Sequence, residues 1–422
     1  MIPTSIDQRA AEDIIESLRN AIPPKRFVSA YSSGHEDFLK SVRRRHLESP
    51  STRGRIRFIS GSWGAGKTHF LRLLREEAFE SRYLVSTVDL NAPETPFNKF
   101  EEVFYAIVRN ITSPEMYEEG QLDQAAPFKE VLRRALFKNL DPNSESIPHE
   151  RLAEAKEQLL TDDSIDIDFR RMVVHFWETY LPEAGDVTTL EDRRERITQW
   201  FSGEGTVGGF RSEFGVQKIV SRANARLMLQ ALSHFISHIG YRGLVAMLDE
   251  AELAYSVMRK PNLKQAHNNL LHLINSVDES EGLLLLYAAT PDFYIDDRYG
   301  VIIYGALAQR IGRPEDRPPR ALDRVWNLDA METSPQDYEN AALKIREIYL
   351  QAYPDEENSL PRADELSDQV RGLVGAHPEF SRVSAWRVVI DGTIAVLDTA
   401  LEGGEIPTPD QLHDDIMERL RD

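Results

Sequence analysis

Residues 55–68 read RIRFISGSWGAGKT, and the stretch that follows, HFLRLLREEAF, has helical periodicity. A β-rich run thus meets the pattern G-x-x-x-x-G-K-[ST] at Gly61, Ser62, Trp63, Gly64, Ala65, Gly66, Lys67 and Thr68, and an amphipathic helix leaves it. The glycines allow backbone N–H groups to turn inward around phosphate oxygens at dihedrals that a Cβ would obstruct. The helix that starts at Lys67 aims its positive dipole end at the same anion. Lys67 would reach the β- and γ-phosphates as a point charge, and the Thr68 hydroxyl would take one coordination position on Mg²⁺. An incidental glycine-rich turn would explain eight letters but neither the strand before them nor the helix after them.

Such a loop needs a second, acidic element: a strand ending in Asp that completes the magnesium shell, followed by a Glu that polarises water. Residues 243–252, GLVAMLDEAE, supply it. Leu244 to Leu248 form the continuous apolar run of a parallel strand buried on both faces, and Asp249 stands at its carboxyl end, where ligands bind in open α/β sheets. Glu250 is then the candidate to polarise the attacking water. A third apolar run, Leu283 to Ala289, ends on Thr290, a candidate sensor of the γ-phosphate that could equally cap the turn after it.

Composition narrows the class. The chain has 422 residues, enough for two or three domains, and 41% hydrophobic residues. It has no cysteine, which excludes disulfides, thiolate zinc sites and a Cys nucleophile. Its apolar runs are strand-sized, short of the ~20 residues of a membrane helix. MIPTSIDQRAAED lacks the cationic-then-apolar pattern of a secretory leader, so a cytoplasmic protein without membrane partners is expected. A net charge of −19 disfavours an autonomous nucleic-acid clamp. Local basic patches at Lys40–His46 and Ser221–Arg226 leave room for DNA contact, although a solvated helix face explains each as well.

Around these motifs the periodicity predicts helices over 7–21 and 36–45, a strand over 83–91, and helices over 97–111, 223–239, 263–277, 332–353 and 386–401. Arg324–Ala330 reads as a fifth strand. Residues 113–225 are far longer than a βαβ crossover needs. Helical patches at 128–140, 169–180 and 197–201, broken by Pro114, Pro127, Pro142, Pro148 and Pro182, make them an inserted helical subdomain. Phe176, Trp177, Tyr180, Trp200 and Phe201 argue against a disordered linker there, and Gly203–Phe210 reads as a mobile loop.

The order of parts resembles the AAA+ core, especially its origin-recognition and helicase-loader clade. IRFISGSWGAGKTHFLRLL, FNKFEEVFYAIVRNI, ITQWFSGEG, GYRGLVAMLDEAE, LLLYAATPDFY and YGALAQRI are similar to the ATP-binding proteins of bacterial BREX phage-defence systems, the BrxC/BrxD family, over roughly residues 20–330. The resemblance implies an α/β, AAA+-like P-loop NTPase core with a parallel five-stranded sheet, a large helical insertion and a C-terminal helical lid. Its divisions would be an N-terminal helical preamble over 1–50, a core in two parts over 51–112 and 226–332, the insertion over 113–225, and lid and tail over 333–422. It implies ATP and Mg²⁺ held by Gly61–Thr68 and Asp249, with Glu250 and Thr290 at the γ-phosphate. Arg310 would reach a neighbouring subunit's nucleotide, with Arg313 its close competitor, and Arg387 would be a second sensor. The implied partners are further copies of the chain, a helicase or another defence protein, and DNA, directly or through that partner. The DNA-binding winged helix of origin-recognition loaders is not expected, because only residues 402–422 follow Leu401.

Three other readings compete. D-E-A-E at 249–252, A-A-T at 288–290 and QRIGR at 309–313 imitate a superfamily-2 helicase, but that fold needs ~150 residues for a second domain before its last motif. Here residues 291–308, eighteen in all, separate Thr290 from Gln309. A signalling or scaffold ATPase that switches with little turnover often lacks the water-polarising Glu, which Glu250 supplies. A vestigial binding module would have lost Lys67, Thr68 or Asp249, and all three are present.

Overall fold

Leu283–Ala289 has neither charge nor alternation, which suits a strand covered on both faces, and all seven of its residues are buried. The computed structural model describes residues 6–419 except 50–51, 92, 124–125, 139, 141–143 and 376–381. Its strands are β1 (Arg55–Ser60), β2 (Leu84–Asp89), β3 (Ile111–Thr112), β4 (Leu244–Asp249), β5 (Leu283–Ala289) and β6 (Val325–Asn327). They form one sheet in the order β3-β2-β4-β5-β1-β6. The expected sheet of five parallel strands is therefore corrected to six. The addition is β3, two residues long and antiparallel to β2, with Val85 opposite Thr112 and Ser86 opposite Ile111. A two-residue pair carries no periodicity of its own, so the sequence gives no strand signal there.

The chain folds into two units, the first comprising residues 1–48, 59–80 and 314–422 and the second 49–58 and 81–313. In the first, the helix Lys67–Glu80 carries the phosphate-loop motif, and Phe70 packs against Phe38 and Trp326 at ring separations of 5.9 and 6.3 Å. The helix Gln8–Arg19 buries Ala11, Ile14, Ile15 and Leu18. Arg19 ties it to the helix Arg382–Leu401 through both oxygens of Asp398, at 2.9 and 2.6 Å. Pro335–Ala352, Ala363–Gly375 and Pro409–Arg419 complete the C-terminal helices. The basic run Lys40–His46 is partly structural: Arg43 pairs with Glu48, Glu77 and Glu80, while buried His46 bonds the Ala321 carbonyl at 2.6 Å.

In the second unit β2, β4 and β5 run parallel, with Leu84–Asp89 opposite Leu244–Asp249 and Leu244–Leu248 opposite Leu283–Tyr287. The long interval between β3 and β4 is helical and packed. Pro114 and Pro127 begin helices instead of breaking them, because the first turn needs no proline N–H; Pro148 precedes another, and Pro142 lies outside the described residues. Phe201 sits 5.0 Å from Phe128, 5.0 Å from Phe169 and 4.9 Å from Trp200, ring centre to ring centre. The indole N–H groups of Trp177 and Trp200 donate to the carbonyls of Leu132 and Lys218 at 2.9 and 3.1 Å, so these large rings are buried without an unmet donor.

The expected mobile loop at Gly203–Phe210 is also corrected. Gly203 takes φ +80° to end the helix Val187–Ser202, and Thr206 caps Val207–Phe214 by accepting from the Gly209 N–H, leaving Phe210 fully buried. Glycines that stop one helix and begin the next imitate the composition of a flexible tether. Truncating the centre of the aromatic cluster, Phe201→Ala, is expected to cost about 3–5 kcal/mol in urea unfolding. Val187→Ala, at a side chain 78% exposed, is expected to change stability by less than about 0.5 kcal/mol.

Candidate functional site

The phosphate-loop residues lie in the first unit. Gly64 and Gly66 have φ of +80° and +81°, dihedrals that side-chain-bearing residues rarely adopt. Gly61 is needed for space: a Cβ there would stand 3.1 Å from both the Ala65 Cβ and the Lys67 Cγ, and 3.4 Å from the Leu328 Cβ. The loop curls tightly enough that Lys67 is only 8% exposed, and its ammonium donates to the carbonyls of Gly61 (2.9 Å) and Ser62 (3.3 Å). Trp63, 63% exposed, places its ring centre 5.3 Å from that nitrogen. Asp329, in the turn after β6, accepts from the Ser62 N–H at 3.0 and 3.1 Å and from its hydroxyl at 2.8 Å. Sequence reading passed over this residue; its only signal is an acid at the penultimate position of the predicted fifth strand.

The helix leaving the loop is laced to the segment 23–32. Its Glu76 carboxylate, buried, accepts the N–H groups of Val28 and Ser29 at 2.8 and 3.0 Å, and Arg72 and Arg75 donate to the carbonyls of Pro23 and Lys25. His69, next to Thr68, uses both ring nitrogens. Ser32 spends its hydroxyl proton on the Val28 carbonyl (2.7 Å), so it accepts from His69 Nε2–H (2.8 Å), and Nδ1 accepts from the Tyr31 hydroxyl (3.0 Å). Burial, then the neighbouring His35 and Arg72, push the His69 pKa down to about 3, holding the ring neutral.

Asp249, Glu250 and Thr290 lie together in the second unit, at the ends of the adjacent parallel strands β4 and β5. Asp249 is buried and accepts the Glu250 N–H at 2.9 Å. Glu250 occupies the left-handed region at φ 55° and begins the helix Ala251–Ser256. A non-glycine residue held in that conformation carries strain of the kind that collects at functional sites. Glu252, a second unanticipated residue, reaches across to accept the Thr290 N–H at 3.1 Å while itself buried, joining the two strand ends; its signal was the last letter of D-E-A-E. The Thr290 carbonyl accepts from the Phe293 N–H at 3.1 Å, so its backbone does cap the following turn. Asp89 ends β2 in register with Asp249, which sets two carboxylate-bearing residues at neighbouring strand ends.

Arg310 is exposed on the short helix Gly305–Ile311, and Arg313 is exposed just past its end, both in the second unit. Arg387, in the first unit, is exposed on Arg382–Leu401, 3.8 Å from the Asp391 carboxylate one turn on. A family model describing the BREX system ATP-binding proteins BrxC/D matches residues 6–413. The chain belongs to that family. Membership gives this BrxC/D-family protein an ATP-binding role in phage defence. A search of the curated proteins returned no match. Among the described residues no helix is long and apolar enough to cross a membrane.

The neutral His69 makes the protein's stability pH-dependent. The unfolded chain protonates this side chain below about pH 6.5, whereas the folded protein resists until about pH 3. Its contribution is complete above pH 6.5 and is lost by about 1.4 kcal/mol per pH unit as acid is added between those limits. His267, lowered to about 4 by burial, adds to the same trend. Unfolding measured at pH 7.5 and 5.5 should show this loss in the wild type, and His69→Gln should remove its share.

Proposed function

We infer that this BrxC/D-family protein is an AAA+-like P-loop ATPase that couples ATP-dependent assembly to the loading or remodelling of a partner on DNA. The observation that carries the reading is Lys67, an ammonium almost fully buried within a glycine-built loop, where it donates to that loop's own carbonyls. A phosphate oxygen is the stronger acceptor for it, because its negative charge adds Coulomb attraction that a neutral carbonyl lacks. The close curl that leaves no room for a Cβ at Gly61 and the left-handed turns at Gly64 and Gly66 support an anion seated over the backbone at the start of Lys67–Glu80.

Roles follow residue by residue. Gly61–Thr68 would hold the triphosphate, with Ser62, Trp63 and Ala65 between the turns and Lys67 neutralising its terminal phosphates. Thr68 and Asp249 are hard oxygen donors suited to Mg²⁺, an ion that binds through one or two protein oxygens plus water and phosphate. Bound ATP and Mg²⁺ supply the phosphoanhydride and the charge that makes it cleavable. Glu250 would take the proton of the attacking water, its backbone held by Asp249 so that the carboxylate starts from a fixed position. Thr290 would sense the γ-phosphate, and its link to Glu252 would pass that contact to the β4 end. Arg310, exposed, is suited to act in trans, with Arg313 the competing choice; Arg387, paired locally with Asp391, supports the sensor role least.

The partners in this reading are further copies of the chain, arranged so that one copy's arginine meets another's nucleotide, and a helicase or other defence protein that engages DNA, all in the cytoplasm. Equilibrium binding of Mg-ATP, phosphate release and light scattering test it together. Lys67→Ala should weaken ATP binding at least tenfold, and Glu250→Gln should keep binding but slow hydrolysis ~10²-fold. Arg310→Ala should slow hydrolysis ~10³-fold. A wild type that stays monomeric with ATP and DNA, beside an Arg310→Ala variant of normal activity, overturns the intersubunit mechanism. A wild type that binds ATP without turning it over, and changes conformation on doing so, points instead to a nucleotide switch.

A further inference from the structure

The bonds around Gly61 and Ser62 converge on a single peptide group. In a trans peptide the C=O of one residue and the N–H of the next point in opposite directions from one plane. The carbonyl of Gly61 receives the Lys67 ammonium at 2.9 Å, and the N–H of Ser62 is held on the other side by both carboxylate oxygens of Asp329 at 3.0 and 3.1 Å. The Ser62 hydroxyl adds a third bond to Asp329 at 2.8 Å, so the carboxylate has no freedom to let the peptide turn. Asp329 is itself anchored: its N–H donates to the Asn327 side chain at 3.2 Å, and Asn327 donates to the Glu315 carbonyl at 2.9 Å. Leu328 closes the remaining side, 3.4 Å from where a Cβ of Gly61 would stand.

We propose that Asp329 is a positioning residue for Lys67, fixing the Gly61–Ser62 peptide so that its carbonyl faces into the loop and holds the ammonium where the terminal phosphates bind. Without Asp329 the Ser62 N–H loses the acceptor that fixes it, and the peptide can turn. The Gly61 carbonyl then swings out, and Lys67 loses the nearer of its two carbonyl acceptors. The flexible lysine stem escapes toward solvent past Trp63, the loop's exposed side. The carboxylate touches neither the ammonium nor, in this role, the nucleotide; its influence passes through one peptide plane. The part of the inference that concerns phosphate rests on the ATP-binding reading above, whereas the part that concerns Lys67 does not.

The test separates the two. In nucleotide-free protein, the rate at which an amine-directed acylating reagent labels Lys67 is followed by peptide mass spectrometry, with Lys40, whose side chain is 76% exposed, as the internal reference. Asp329→Ala should raise Lys67 labelling about tenfold or more relative to Lys40. Asp329→Asn, which keeps the shape and one oxygen acceptor but loses the charge, should raise it two- to fivefold. Mg-ATP affinity should fall in the same order, by about tenfold for the alanine variant, the range expected for losing a charge-assisted bond. Unchanged Lys67 labelling in whichever of the two variants retains the wild-type unfolding transition overturns the proposal. If labelling rises as expected but the wild type fails to bind ATP, the positioning role stands and the nucleotide reading falls. If ATP binds to the wild type and both variants label and bind as it does, the nucleotide reading stands and Asp329 has no such role.

Discussion

A positive charge almost sealed inside a loop of backbone must find oxygen partners, and much of the first unit is arranged to meet that demand. Burying an unpaired ammonium is among the most expensive things a fold can do. Here the loop bends far enough for Lys67 to reach the carbonyls of Gly61 and Ser62. That curvature demands glycine at 64 and 66 for their dihedrals and at 61 for its missing Cβ. It also exposes the outer edge of the Gly61–Ser62 peptide, where the turn after β6 supplies the carboxylate of Asp329. The glycine pattern and the acid downstream are thus parts of one answer to one electrostatic problem.

The helix beneath the loop is constrained in a different way. Along one face, His69, Arg72, Arg75 and Glu76 each meet a backbone or hydroxyl group of residues 23–32. Spacings of three and four residues place these side chains in a row. A segment with almost no regular structure of its own therefore borrows its order from the helix, and Phe27 can sit at φ 61° because Glu76 satisfies the N–H groups that follow it.

Legibility in the sequence followed the reach of each signal. The motif residues could be named because the chemistry expected of them needs fixed spacing, and β4 and β5 were legible because strands buried on both faces are apolar throughout. Helices with a clear apolar stripe, such as Gln8–Arg19 and Phe100–Arg109, matched their expected ranges within a few residues. The antiparallel β3 was invisible because two residues define no period. The helix Val207–Phe214 was hidden because two of its first three residues are glycines, poor helix formers held in place by the Thr206 cap and the burial of Phe210 and Phe214. Asp329 and Glu252 were overlooked for another reason: each bonds a main-chain N–H far away in sequence, and such a partnership leaves no pattern in the letters.

The first unit is assembled from three stretches of chain, and the last of them, which carries Asp329 and the C-terminal helices, follows residue 313. The residues of the second unit all precede that point. Synthesis at about 5–20 residues per second delivers the chain in order, and domains fold as units as they emerge. The second unit therefore has all its residues while the phosphate loop still waits for the strand and turn that brace it. The bracing of the loop by Asp329 therefore comes only after every residue of the second unit has been made.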